Sequence, residues 1–213
     1  MEIWVVIPAY NEEKTIEQVV NSVLKFVKNI LIVDDCSSDK TSEILGKLPV
    51  KVIRNSINLG YTETLEKGVE QAFKSGGDYV ITFDADGQHQ AGDLPKYIEA
   101  IRDQEPDLVV GKRSFKNRFM ENIWILFSRK YGFSDPLCGF KAYRRSTYKK
   151  FGPLESVYTI GTQLLFLVAK NKGKIIEVEL NTKERLDKPR FAGRIRGNYL
   201  ELKALVNLLR VIS

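Results

Sequence analysis

Tyr79-Val80-Ile81-Thr82-Phe83-Asp84-Ala85-Asp86-Gly87-Gln88-His89 joins a short apolar run to two carboxylates two residues apart. Along an extended chain alternate residues share a side, so Asp84 and Asp86 are expected to point together. Gly87 lets the backbone turn tightly, and Gln88 adds a neutral oxygen. Two carboxylates and a carbonyl oxygen suit a hard cation, Mg²⁺ or Mn²⁺, which completes its shell from substrate phosphates. An acidic turn at a strand end would read the same way, because turns favour Asp and Gly. The neighbouring segments decide between the two.

Upstream, Ile3-Trp4-Val5-Val6-Ile7 reads as a buried strand closed by Pro8. Asn11 is expected to open a helix with Glu12 and Glu13 in its first turn. Ile16, Val19, Val20, Val23, Leu24 and Val27 keep the helical period. Ile30 to Val33 is a second strand ending in Asp34-Asp35, and Ser38 or Asp39 caps a short helix. Val50 to Ile53 is a third strand. Asn58-Leu59-Gly60 is a loop, and Thr62 to Phe73 is helical. Downstream, a helix starts at Asp93 or Leu94, and Leu108 to Gly111 is a fifth strand. Strands alternating with helices predict an α/β fold, a Rossmann-like, mostly parallel sheet with helices on both faces. Ligands of such sheets bind beyond the carboxyl ends of the strands. Pro8-Tyr10-Glu12, Asp34-Asp35 and Asp84-Asp86 all fall at those ends, which favours a site over isolated acidic turns.

After Gly111 the pattern changes. Residues 112–134 mix Arg and Lys with Trp124, Ile125, Leu126 and Phe127. Gly139 to Tyr143 and Ile175 to Leu180 read as strands, and Gly161 to Ala169 as a helix. Residues 181–197 form a basic loop. Ile195 to Ile212 is amphipathic, with Ile195, Tyr199, Leu202, Val206 and Leu209 on one face, broadened by Leu205 and Leu208.

The 213 residues suffice for one domain with a buried core, and 43% hydrophobic with 28% charged content is that of a globular protein. Met1 leads straight into a strand-like run, so no signal peptide is expected, and no apolar run is long enough to span a bilayer. Cys36 and Cys138 lack metal-type spacing and read as reduced and cytosolic. The net charge of +6 suits nucleic acid, anionic lipid or phosphorylated ligands. No nucleic-acid motif accompanies it, so nucleic acid is not expected as a partner.

Five motifs in order carry a family likeness: Val6-Ile7-Pro8-Ala9-Tyr10-Asn11-Glu12, Ile32-Val33-Asp34-Asp35-Cys36-Ser37-Ser38-Asp39, Asn58-Leu59-Gly60, Asp84-Ala85-Asp86-Gly87-Gln88-His89 and Cys138-Gly139-Phe140-Lys141. The chain resembles the inverting glycosyltransferases of GT-A fold, and within them the dolichyl-phosphate mannose and glucose synthases. The resemblance implies one glycosyltransferase domain over residues 1–213. A nucleotide-sugar half would run over 1–111, an acceptor half over 112–194, and the amphipathic helix over 195–213.

On this likeness Pro8, Tyr10, Glu12, Asp34 and Asp35 would bind the nucleoside, a helix cap being the lesser reading of Asp35. Asp84, Asp86 and Gln88 would hold the metal and diphosphate, with His89 behind them or in the turn. The family's late Arg-x-x-Gly-x-Ser-Lys signature reads Arg190-Phe191-Ala192-Gly193-Arg194-Ile195-Arg196 here. Arg190 and Arg196 would clamp the donor phosphates, with Ile195 in place of Ser and Arg196 in place of Lys altering that geometry. Arg113, Arg118 and Arg129 are the candidates for acceptor phosphate, because bidentate arginine contacts to phosphate are strong and oriented. Cys138-Gly139-Phe140 either shapes the acceptor pocket or is a buried strand.

An acceptor phosphate is already nucleophilic, so it needs positioning rather than a strong base. A hydroxyl acceptor needs a base, for which Asp135 is placed by motif order. The expected activity is metal-dependent transfer of a hexose from GDP-mannose or UDP-glucose to a polyprenyl (dolichyl) phosphate. Asp86, Asp135 and Arg190 are the catalytic candidates. Transfer to a soluble or polymeric hydroxyl acceptor, or sugar-nucleotide binding without turnover, are the alternatives. The lipid acceptor implies a cytoplasmic protein with peripheral contact at the cytoplasmic membrane face. Arg118 to Lys130 and the terminal helix both set cations beside apolar residues; packing into the core or a dimer would use the same faces.

Overall fold

The computed structural model describes residues 1–113, 119–154, 161–181 and 202–210. In chain order the strands are β1 (Ile3–Ala9), β2 (Asn29–Asp34), β3 (Lys51–Arg54), β4 (Tyr79–Thr82), β5 (Leu108–Lys112), β6 (Lys141–Arg144) and β7 (Ile175–Glu179). The helices are α1 (Ile16–Val23), α2 (Thr41–Leu45), α3 (Tyr61–Lys74), α4 (Leu94–Gln104), α5 (Phe119–Arg129), α6 (Arg145–Phe151) and α7 (Thr162–Lys170). Residues 202–210 form a last helix, α8. The strands make one sheet in the order β3-β2-β1-β4-β6-β5-β7. All pairs are parallel except those of β6, which runs antiparallel to both β4 and β5.

Alternation along the strands builds two cores, one on each face. Val5, Ile7 and Ala9 of β1 face one side with Ile16, Val19, Val20 and Val23 of α1 and Leu94, Tyr97 and Ile101 of α4. Trp4 and Val6 face the other with Leu65, Val69 and Phe73 of α3, Trp124 of α5 and Leu164, Leu165 and Phe166 of α7. Each fully buried Val, Leu, Ile or Phe contributes roughly 1.5–3 kcal/mol. The α/β sheet with helices on both faces is therefore present as expected. On α3 close approach requires glycine at position 68, since a Cβ there would lie 2.5 Å from Val6 Cγ1 and 3.0 Å from Val33 Cγ2.

Several local readings are corrected. β1 does not close at Pro8 but runs through it to Ala9. Val6 O accepts from Phe83 N, and Ala9 O accepts from Asp35 N. Pro8, two residues on from Val6, therefore faces the β4 side beyond the point where β4 has ended, so its missing N–H breaks no ladder bond. Asn11 does not open α1. It has φ +54°, in the left-handed region that Asn tolerates, and the helix starts at Ile16. Its side chain instead crosses to the loop after β2, where Asn11 Oδ1 accepts from Ser38 N at 2.8 Å. Asp39 does hold the start of α2, accepting from Thr41 N at 2.9 Å.

The terminal helix turns a different face inward from the one its pattern suggests. Ala204, Leu205 and Leu208 enter the core, while Leu202, Val206 and Leu209 are 49%, 42% and 44% exposed. With apolar residues on both flanks, periodicity left two faces available, and the one that joined the core cluster carries Ala204, Leu205 and Leu208. Trp124, for which a membrane surface and the core were both open readings, is fully buried; its neighbour Leu126 is 71% exposed. No helix among the described residues is long and apolar enough to cross a membrane.

Candidate active site

The carboxyl ends of β1, β2, β3 and β4 lie along one edge of the sheet, and the acidic motifs leave the strands there. β4 ends at Thr82, so Asp84 and Asp86 are carried by the following turn rather than by an extended strand. Their shared location thus comes from the turn and not from strand alternation. Gly87, at φ +76°, supplies the turn conformation. Asp86 Oδ1 accepts from Gln88 N at 3.0 Å, drawing Gln88 back beside the carboxylates.

Asp84 is held from two sides. Tyr61 Oη donates to Oδ1 at 2.8 Å, and His89 Nε2 lies 3.0 Å from Oδ2. His89 is buried, with Phe83 and Phe140 ring centroids at 5.8 and 5.3 Å. Burial pushes the Asp84 carboxyl up, but the hydrogen bond and charge of His89, the Tyr61 hydroxyl and the Arg113 guanidinium outweigh it. The net result holds the carboxyl below its ordinary value of 3.8. Each Asp84 oxygen keeps lone-pair capacity beyond its one partner.

Asp84, Asp86 and Gln88 are oxygen donors carried on one turn, the donor type that a hard divalent ion takes. Among the described residues no group of three or more His, Cys, Asp or Glu side chains comes together as a metal cage.

Asp34 and Asp35, expected to meet the nucleoside, are 0% and 3% exposed and have internal partners. Asp34 accepts from Ser37 N at 3.0 Å and from the Ser42 hydroxyl, with Arg54 Nε 3.6 Å away. Asp35 Oδ1 accepts from Asn55 Nδ2 and Leu59 N, and Oδ2 from Gly60 N, each at 2.8 Å. Both acids brace the loops that rim the edge. Neither caps a helix through its own first turn. Of the other expected nucleoside residues, Pro8 is buried in β1 and Tyr10 is 44% exposed on the rim. Glu12 is half-buried and accepts from Thr15 Oγ1 at 2.9 Å.

On the other side of β4, Arg113 leaves the end of β5 and meets Asp135. Arg113 Nε and Nη2 donate to the two carboxylate oxygens at 2.8 and 2.9 Å, and the Arg113 N–H adds a third bond at 3.1 Å. Burial alone would lower the guanidinium pKa, yet the bond and charge of Asp135 raise it further above its ordinary value. Two residues assigned to different tasks, acceptor phosphate and general base, are thereby one ion pair. Arg129 is exposed in the last turn of α5, where a cation suits the helix C-terminus. Arg118, Arg190 and Arg196 lie outside the described residues.

Cys138 and Phe140 are fully buried, which favours the core reading of that motif over a pocket wall. Phe140 stacks on Tyr97 at 4.2 Å. Burial pushes the Cys138 thiol up to about 12, so it is not a nucleophile at neutral pH.

Sequence reading missed Tyr61, Asn55 and Lys141. Tyr61 directly follows the Asn58-Leu59-Gly60 motif, and Asn55 follows the third strand, so position in the order of motifs was the available signal. Lys141 is fully buried, with Nζ donating to Cys138 O; nothing in its sequence context marks it as buried.

Residues 4–152 match the description "Glycosyl transferase family 2". The chain is 32% identical over 213 residues to the UDP-N-acetylglucosamine--dolichyl-phosphate N-acetylglucosaminyltransferase of Methanococcus voltae, covering 84% of this chain and 85% of that one. It is 29% identical over 239 residues to the dolichol-phosphate mannosyltransferase of Pyrococcus furiosus, covering 100% of this chain and 63% of that one. Glucosyl-3-phosphoglycerate synthase of Mycobacterium tuberculosis, solved with Mn²⁺, UDP and phosphoglyceric acid, superposes with a TM-score of 0.80 at 20% identity. That match covers 100% of this chain and 78% of that one, and shows a shared GT-A fold.

Proposed function

The chain belongs to glycosyl transferase family 2 and is a glycosyltransferase, and from that premise we propose that it moves a hexose from a nucleotide-sugar, GDP-mannose or UDP-glucose, to a polyprenyl phosphate with inversion. The observation that carries the acceptor class is the Arg113–Asp135 pair. Asp135 is the carboxylate placed to activate a hydroxyl, and it is 2% exposed and held by both a guanidinium and a backbone N–H. With both of its oxygens held by the Arg113 guanidinium, the carboxylate has no oxygen left open to face a substrate hydroxyl. A phosphate acceptor needs no base, being an anion before it reacts. The named relatives differ in the sugar they carry, N-acetylglucosamine or mannose, yet share dolichyl phosphate as acceptor. That common element supports the lipid-phosphate reading more than any one sugar.

In this reading Asp84, Asp86 and Gln88 hold Mg²⁺ or Mn²⁺ with the donor diphosphate. When bound, the ion supplies Lewis-acid neutralisation of charge on the leaving nucleotide. The chain's own part is positional. The Asp35-braced loop and Tyr10 border the nucleoside end, and Arg190 and Arg196 are assigned to the donor phosphates. Arg113, oriented by Asp135, adds positive potential beside Asp84 where acceptor phosphate and donor must meet. Alignment of the phosphate oxygen with the anomeric carbon then provides most of the rate.

The test is product analysis with radiolabelled GDP-mannose, UDP-glucose and UDP-N-acetylglucosamine. Dolichyl phosphate in micelles and soluble sugars serve as acceptors, with Mn²⁺, Mg²⁺ or chelator. Label should enter the lipid fraction only with metal, and Asp86→Ala should abolish it while the protein stays folded. Transfer to soluble sugars with none to lipid phosphate would overturn the acceptor class. Full turnover in chelator would overturn the metal assignment.

A further inference from the structure

Asp84 sits two residues past the end of β4, where ladder hydrogen bonds no longer hold the chain. Its orientation is set by side chains. One of them, His89, belongs to the same turn and moves with it. The other, Tyr61, comes from α3, on a separate part of the chain, and reaches Oδ1 at 2.8 Å.

Tyr61 is itself firmly placed. It is half-buried, and its ring packs against the core cluster beneath α3 while its hydroxyl emerges at the sheet edge. The two preceding residues are pinned as well. Leu59 N and Gly60 N each donate to Asp35 at 2.8 Å, and Asp35 is anchored at the end of β2. Gly60, at φ +85°, lets the chain turn from these bonds directly into the helix. Asp35, Gly60, Tyr61 and Asp84 thus form a continuous brace from the end of β2 to the turn after β4.

We propose that Tyr61 is a positioning residue for the divalent ion, its hydroxyl holding the Asp84 carboxylate in the orientation that binds metal. The inference rests on Asp84 being a metal ligand, as proposed above. A carboxylate free to rotate must be ordered when it binds, and a fixed partner removes that cost. Partners that orient a ligand in this way typically account for about 10–100-fold in metal affinity. The position is chemically specific. Phenylalanine preserves the ring that fills the core and deletes only the hydrogen bond.

The experiment titrates the full chain with Mn²⁺ alone, following the electron paramagnetic resonance signal of the free ion. Wild type, Tyr61→Phe and Asp86→Ala are compared, with thermal melting recorded for each. Tyr61→Phe should weaken Mn²⁺ binding roughly 10-fold with a cooperative melt, and turnover should recover at saturating Mn²⁺. Mn²⁺ affinity in Tyr61→Phe equal to wild type would overturn the proposal while leaving the metal site intact. So would a loss of melting temperature with no change in the affinity of the folded protein, which would make Tyr61 merely structural. Wild type that binds Mn²⁺ no better than Asp86→Ala would overturn the metal assignment itself, and the proposal with it.

Discussion

Removing the Arg113 side chain should cost more stability than removing its partner. Asp135 is buried, and without the guanidinium its carboxylate keeps only the Arg113 backbone N–H at 3.1 Å. Stranding a buried charge costs about 3–5 kcal/mol. For a chain of this length each kcal/mol lowers the melting temperature by about 2–4 °C, so Arg113→Ala should melt roughly 6–20 °C below wild type. The Asp135→Ala change strands a guanidinium whose side chain is 26% exposed and can turn toward water. It loses three charge-assisted bonds, but the freed guanidinium is solvated again, so the net loss should be about 1.5–3 kcal/mol. The double variant removes both charges and should be less destabilised than the sum of the two singles by about 2–3 kcal/mol. Urea unfolding of the four proteins, with equal m-values as the check on two-state behaviour, measures each corner of this cycle. A coupling below about 0.5 kcal/mol would refute the pairing, since sites that do not interact add within that margin. Arg113→Ala as stable as Asp135→Ala would refute the argument from burial.

Asp35→Asn keeps the shape of the side chain but sets its amide against the donors of Leu59 and Gly60, and should lower the melting temperature by roughly 4–12 °C for a loss of about 2–3 kcal/mol. Hydrogen exchange should show lost protection at those two amides, and unchanged protection would contradict the brace. Asp84, whose folded pKa lies below its ordinary 3.8, contributes stability that is present above that value and lost as pH falls through the folded pKa. Urea unfolding of wild type should therefore weaken between pH 5 and pH 2 more steeply than that of Asp84→Asn, and parallel acid limbs would argue against it. For the membrane contact expected from the sequence, replacing Leu202, Val206 and Leu209 together by Ser should reduce co-sedimentation with anionic vesicles several-fold at low salt while the protein stays folded, because these side chains are exposed. Trp124 is no probe of that contact, since it lies in the core. Equal sedimentation of wild type and triple variant would remove α8 from consideration.

The order of strands and helices as far as β5, and the placing of the acidic motifs at strand ends, were legible in the sequence, whereas α5 and α6 were not. That order and that placing depend on local pattern: apolar runs such as Val5 to Ile7 and Val80 to Phe83 are bounded by residues that turn the chain, and a parallel sheet collects its strand ends along one edge. Local pattern could not show how β6 enters between β4 and β5 in the opposite direction, because that depends on pairing over long separations. It also could not show which partner each charged group takes. Asp34 and Asp35 read as free acceptors at a strand end, yet the fold surrounds them with Ser37, Ser42, Asn55, Leu59 and Gly60. Arg113 and Asp135 read as separate tools, yet they form one pair. α8 carried two apolar flanks, and only the tertiary structure showed that Ala204, Leu205 and Leu208 join the core. A carboxylate's chemistry follows from the donors around it. Those donors come from segments remote in sequence, so residue type named the candidates and tertiary structure decided which are held inside the protein and which remain for a ligand.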